Sequence, residues 1–329
     1  MGITKERINK YDNIRGLAIF MIVIWHLNTV NIFSGMDIYR VMFIVVLPSF
    51  FFVSGYFSKI GPDEPMKAFK RLFLPYIIFS VITRIAIMVT SGEGNFHDLF
   101  LVSNYLWFLL ALFFMKMALP ILDKFRYPIL TAFIVALCLG FIKFNHSIMG
   151  IDRCICYLPI FLLGFYYNDY KAKFEERFTG AYNFIKKYSW LVLILSVAYF
   201  IAVAMLISNT QNYLFSADYK GDLLLAMLKR AVILIADMMA VLILNKYMTN
   251  KKCVLTKVGI NSMAVYVLHY YCYLVLKYPF NNFSDNKLLF VPVLLISAAI
   301  VTWVLSRDFV TKGFNKFTDF FYDLIVKAT

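Results

Sequence analysis

Residues Arg7–Asn28 read RINKYDNIRGLAIFMIVIWHLN. A polar, basic opening gives way to a long apolar run. Gly16–Met36 contains 21 residues without Asp, Glu, Lys or Arg, and about 20 such residues cross a bilayer as one helix. The run is too long for the apolar core of a signal peptide and has no small-residue cleavage site. Yet it begins at Arg15 and carries His26 inside it. Titratable groups in a membrane helix are costly and mark sites or paths by default. Eleven residues of helix rise by about 16 Å and turn just over three times, so both side chains lie on one face. A guanidinium at the inner mouth suits a phosphate-bearing ligand arriving from the cytoplasm. An imidazole deeper on the same face suits a general base.

The rest of the chain repeats the apolar theme. Of 329 residues, 61% are hydrophobic and 16% charged, with mean hydropathy +0.72. That excludes a soluble globular domain, a disordered chain and a coiled coil. Apolar stretches follow at Val41–Ser58 and near 72–92, 99–119, 127–145, 154–168, 188–210, 224–245, 258–276 and 288–306. The expectation is an all-α polytopic membrane protein with about ten transmembrane helices.

Charge sets its orientation. Lys and Arg number 33 against 19 Asp and Glu, a net charge of +14. With the N-terminus cytoplasmic, 24 of the 33 basic residues fall in inside segments, 6 outside and 3 within spans. Basic residues prefer the cytoplasmic side, so both termini are expected inside. Residues 1–308 form one membrane domain. Residues 309–329 read as an amphipathic cytoplasmic tail, with Phe309, Phe314, Phe317, Phe320, Phe321 and Leu324 near a helical stripe. The five cysteines (Cys138, Cys154, Cys156, Cys253, Cys272) show neither a disulfide framework nor zinc spacing and read as small buried hydrophobes. The basic residues are scattered and carry no nucleic-acid-reading motif.

Few other polar groups fall inside the spans. Arg84, Lys229, Arg230, Asp237 and His269 do, and Asp237 is expected to pair with Arg84 or Lys229. His97 and His146 fall in outside loops. At the end of the second span, Ser54-Gly55 permits close backbone approach. Lys59, Lys67, Lys70 and Arg71 then line an inside loop, where a basic run orients the chain and meets anionic lipid.

Together these residues resemble the acyltransferase 3 family of integral membrane acyltransferases, over most of the chain. The resemblance rests on Tyr11-Asp12 before Arg15-Gly16, on Arg15 and His26 with ten residues between them, and on Ser54-Gly55-Tyr56. It continues in Lys67, Lys70 and Arg71 leading to Pro75-Tyr76, where family members usually carry two arginines three apart. Further matches are Tyr105-Leu-Trp107-Phe108-Leu109, Pro159-Ile-Phe161-Leu-Leu-Gly164 and the Ser262–His269 segment. The compact form is similar to fucose 4-O-acetylase-like and intercellular-adhesin-type members.

The resemblance implies an O-acyltransferase, usually of acetyl groups, in the cytoplasmic membrane of a bacterium. Its donor substrate is cytoplasmic acyl-CoA, with no separate cofactor. Its acceptor is a hydroxyl of a surface or lipid-linked glycan. Implied partners are membrane lipids, glycan-synthesis machinery or a second copy of the chain. On this reading Arg15, supported by Lys67, Lys70 and Arg71, holds the CoA phosphates, and His26 activates the acceptor. Tyr266, Arg153 or Ser54 stabilises the oxyanion, Arg153 alternatively meets the acceptor, Trp107 lines an aromatic pore, and His269 is a second member of the site. The rival class is a membrane transporter or exporter of a glycan or small molecule. It suits many spans and buried charge, although no inverted halves with paired broken helices are visible.

Overall fold

The computed structural model describes residues 7–29, 37–91, 105–142, 150–207, 213, 218–281 and 287–326. Those residues are helical with no strand among them. In chain order the helices are α1 (Asn9–Leu27), α2 (Asp37–Tyr56), α3 (Glu64–Ala68), a π-helical turn (Phe69–Phe73), α4 (Leu74–Ser91) and α5 (Trp107–Leu122). Then come α6 (Pro128–Cys138) with a 3₁₀ turn (Leu139–Phe141), α7 (Ile151–Phe165), α8 (Tyr167–Arg177), α9 (Thr179–Lys187), α10 (Ser189–Leu206) and α11 (Leu223–Tyr247). The chain closes with α12 (Val254–Ile260), α13 (Ser262–Asn281), α14 (Lys287–Leu305) and α15 (Asp308–Ile325). They divide into two compact units, one of Met1–Ser34 with Leu242–Thr329, the other of Gly35–Val241.

In the first unit α1 packs on α12, α13 and α14. The α1–α12 crossing brings backbone onto backbone. A Cβ on Gly16 would lie 2.1 Å from the Leu255 carbonyl oxygen, and one on Gly259 would lie 1.7 Å from that of Asp12. Only glycine allows either approach, the device by which small residues let membrane helices close up. Beyond α12 the chain bends by 86° into α13. At the break, Asn261 Nδ2 donates to the Ser306 carbonyl at 2.7 Å. Hydropathy had read one span over 258–276; a side-chain hydrogen bond at Asn261 separates two helices there instead.

The second unit repeats the device. A Cβ on Gly55 of α2 would lie 1.9 Å from the Phe161 carbonyl oxygen of α7, and one on Gly164 of α7 would lie 2.0 Å from that of Phe52. This is the close approach expected from Ser54-Gly55. The glycines at positions 16, 55, 164 and 259 thus perform backbone work at helix crossings.

By length and apolarity, one continuous stretch, Glu64–Val89 of 26 residues, suffices to cross a membrane. Three bent pairs also suffice if each is one span: α9 with α10 (83°), α12 with α13 (86°) and α14 with α15 (59°). That gives one to four spans among the described residues, against the ten counted from hydropathy. The difference has identifiable causes. Lys10, Asp12 and Arg15 occupy the start of α1, and Lys229, Arg230, Asp237 and Lys246 lie along α11. The apolar stretches Trp107–Leu122, Pro128–Phe141 and Ile44–Tyr56 are each under 18 residues. The tail is helical as α15, with Phe309, Phe320 and Leu324 exposed and Phe314 buried. His97 and His146 lie outside the described residues.

Candidate active site

In the first unit the site grows from the start of α1. Asp12, 1% exposed, accepts from Arg7 Nε at 2.5 Å and Nη2 at 2.9 Å, and from Arg15 Nη2 at 2.5 Å. The Arg7 guanidinium, outside the helix, is held charged above its ordinary range by that hydrogen bond. One carboxylate thus clamps two arginines, and the trio keeps a net charge of one positive. Arg15 is therefore a positioned cation, not a freely swinging one. Next to it, buried Asn13 uses both ends of its amide. Nδ2 donates to the Thr249 and Lys251 carbonyls at 2.8 and 3.0 Å, and Oδ1 accepts from Thr256 Oγ1 at 2.6 Å. These bonds pin α1 to the segment leading into α12 and satisfy a polar group that would be costly to bury alone.

Three turns on, His26 meets His269. His26 Nδ1 and His269 Nε2 are 2.7 Å apart, and the ring centroids 4.8 Å. The other nitrogen of His269, Nδ1, lies 3.1 Å from the Val265 carbonyl oxygen, one turn earlier in α13. A carbonyl only accepts, so His269 Nδ1 carries the proton. In a neutral ring Nε2 is then a lone pair, and it accepts from His26 Nδ1–H. That leaves His26 Nε2 unprotonated, a lone pair ready to take a proton. His269 is fully buried, whereas His26 is partly exposed. The inner ring sets the tautomer and the outer ring retains access. Tyr266, 7% exposed, stands beside the pair, its ring centroid 6.1 Å from that of His269.

The remaining candidates lie in the second unit. Ser54 is on the last turns of α2, where its carbonyl accepts from Ser58 Oγ at 2.7 Å. Lys67 is exposed and pairs with Glu64 at 2.8 Å. Lys70 and Arg71 ride on the π-helical turn, Arg71 exposed. Trp107 is buried, under the Arg153 guanidinium at 5.0 Å from its ring centroid. It stacks on Tyr157 (6.2 Å), which stacks on Phe51 (4.7 Å). Trp107 and Arg153 thus come together as the head of a packed aromatic column.

Asp237 is fully buried and makes neither of the ion pairs expected of it. Both carboxylate oxygens lack a hydrogen-bond partner among the described residues. Arg230, seven residues earlier, instead donates Nη1 to the Ala136 carbonyl at 3.2 Å and lies over the Tyr219 ring. Asp237 is within electrostatic reach of Tyr157 and Tyr199.

Chain reading missed the two-arginine role of Asp12, the brace at Asn13 and Thr256, and the His26–His269 bond. Asp12 and Asn13 did leave a signal, as polar residues on the first turns of an apolar helix. His26 and His269, 243 positions apart, left none for their pairing.

A family model described as Acyltransferase domain, that of the Acyl_transf_3 family, matches residues 8–307, nearly the whole chain. Comparison with curated proteins and with solved structures gives no match.

Proposed function

Because the chain belongs to the acyltransferase 3 family and is on that ground a membrane acyltransferase, we propose that it moves an acyl group, typically acetyl, from cytoplasmic acyl-CoA to a hydroxyl of a surface or lipid-linked glycan. The observation that carries this reading is the chain Val265 carbonyl, His269, His26. It leaves His26 Nε2 as the base that acyl transfer to an alcohol needs. Nε2 takes the acceptor hydroxyl proton as the oxygen attacks the thioester carbon. The tetrahedral intermediate then expels CoA thiolate, which takes the proton back from the imidazolium. A positioned base contributes typically 10²–10⁴-fold. His269 positions His26 and takes no part in bond making. Of the oxyanion candidates, Tyr266 is the one in the same unit as the histidine pair, its ring 6.1 Å from that of His269.

Arg15 binds a CoA phosphate. Its clamp by Asp12 holds the guanidinium ready, which lowers the ordering cost of binding. Lys70 and Arg71, on the π-helical turn of the second unit, are further candidates for phosphate, and Lys67 is a weaker one, being paired with Glu64. The membrane is the cytoplasmic membrane of a bacterium, crossed about ten times with both termini inside; the charge asymmetry supports this orientation.

Acyl transfer to glycan in intact cells tests the reading. His26→Ala is expected to lower it at least a hundredfold, and Arg15→Ala to weaken acyl-CoA binding. Full activity of a well-expressed His26→Ala chain refutes the base assignment. Buried Asp237, without a hydrogen-bond partner among the described residues, favours a transporter as second reading, since intramembrane ionisable residues mark ion paths. Acyl-CoA-independent movement of a glycan into or out of vesicles is the result that reading requires.

A further inference from the structure

Lys116, one of the 24 basic residues assigned to the inside, has the surroundings of a ligand site. It sits on α5, half-buried. Its Nζ donates to Ser58 Oγ at 2.8 Å, and that hydroxyl donates its own hydrogen to the Ser54 carbonyl at 2.7 Å. The partner of the ammonium is a neutral hydroxyl with its lone pair already turned toward it. An ammonium has three donors, and this bond uses one.

The π-helical turn brings a second cation. It packs on α5, with the Phe73 and Phe113 ring centroids 4.8 Å apart. That places Arg71 within electrostatic reach of Lys116. Isolated π-turns inside helices occur often at functional sites. Glu64 is also in reach of Lys116, but it is bonded to Lys67 and has Lys59 nearby as well. Including Asp63, which neighbours Lys67, two carboxylates face the cations Lys59, Lys67, Arg71 and Lys116. Burial and Arg71 disfavour the Lys116 ammonium, Glu64 offsets part of that while shared with Lys67 and Lys59, and an arriving anion would offset more. Arg supplies a fork and Lys a point charge, the two common partners of phosphate.

We propose that Lys116 and Arg71, with Ser58 orienting the ammonium, form a phosphate-binding site that takes a phosphate group of the acyl-CoA donor. This rests on the donor reading above and assigns it a residue beyond the basic run after α2. The same chemistry would hold an anionic lipid headgroup, so the test has two arms.

The purified full-length chain in neutral detergent is titrated with CoA and with 3′-dephospho-CoA. In parallel it is reconstituted into phosphatidylcholine vesicles with and without phosphatidylglycerol, and lipid binding is measured. Lys116→Gln is expected to weaken CoA binding roughly tenfold, the scale of one charged hydrogen bond, with lipid binding unchanged. Exposed Arg71→Gln is expected to do the same and keeps the test decisive if Lys116→Gln does not fold. Wild-type affinity for CoA in both variants overturns the site. Loss of phosphatidylglycerol binding at unchanged CoA affinity overturns the donor assignment in favour of lipid. No CoA binding by the wild-type chain overturns the donor reading itself.

Discussion

Replacing His269 by Leu removes the acceptor of the His26 Nδ1 proton and leaves the His26 ring otherwise in place. In the wild-type chain the 2.7 Å bond between the rings selects the tautomer with a bare Nε2. Without it, keeping the proton on Nδ1 strands a donor in an apolar setting, at about 1–3 kcal/mol. The ring escapes that cost by moving its proton to Nε2, which is the wrong atom for a base. A tautomer penalty of that size depletes the competent form roughly 5- to 150-fold. The ceiling is the whole base contribution, about 10²–10⁴. His269→Leu should therefore lower kcat about 10- to 100-fold. KM for acyl-CoA should hold, because neither histidine is assigned a contact with the CoA phosphates. The double variant His26→Ala/His269→Leu should be no slower than His26→Ala alone, since both changes remove one device. Nitrogen-15 NMR of labelled histidine gives a readout that a merely structural role would not move: His26 should change from Nδ1–H to Nε2–H. A kcat within twofold of wild type, or additive losses in the double variant, refutes the tautomer argument.

Three further outcomes follow from the packing. Gly16→Ala and Gly259→Ala each drive a methyl into a carbonyl oxygen and should destabilise by about 1–3 kcal/mol or more in thermal unfolding, whereas Gly180→Ala, with nothing within 4 Å, should show no loss. Asn13→Ala strands two carbonyls and a threonine hydroxyl and should cost about 1–3 kcal/mol by the same measure, while Arg7→Ala, whose side chain is 56% exposed, should cost under about 1 kcal/mol. Asp237→Asn removes a buried titratable group without breaking a hydrogen bond present among the described residues, so its melting temperature should equal or exceed that of wild type.

What the chain disclosed and what it withheld divide along physical lines. Helical periodicity is local, so the shared face of Arg15 and His26 was visible from an eleven-residue spacing. Glycine beside serine at the end of α2 announced a close crossing, and Gly55 makes one against Phe161. Bends were invisible, because hydropathy averages over a window and ignores direction. Asn261 turns the chain by 86° within a stretch that reads as continuously apolar. Prolines inside α2, α5, α7, α13 and α14 likewise leave hydropathy unchanged. Long-range partners were invisible too. Asp237 was matched with Arg84 or Lys229 by charge alone, but neither of its carboxylate oxygens has a hydrogen-bond partner among the described residues. Lys116 and Ser58 meet across 58 positions, and nothing along the chain ties one to the other.

The two attachments of α1 have a consequence for its length. Gly16 and Asp12 fix one end against α12, and His26 fixes the other against α13. The stretch between them works as a gauge block. Inserting a single alanine there would leave as good a helix, equally apolar and of equal propensity. Everything beyond the insertion would rotate by about 100° and advance by about 1.5 Å. The imidazole would then face away from His269 while Arg15 stayed clamped. A helix that any hydropathy scale would score as unchanged would have lost its base.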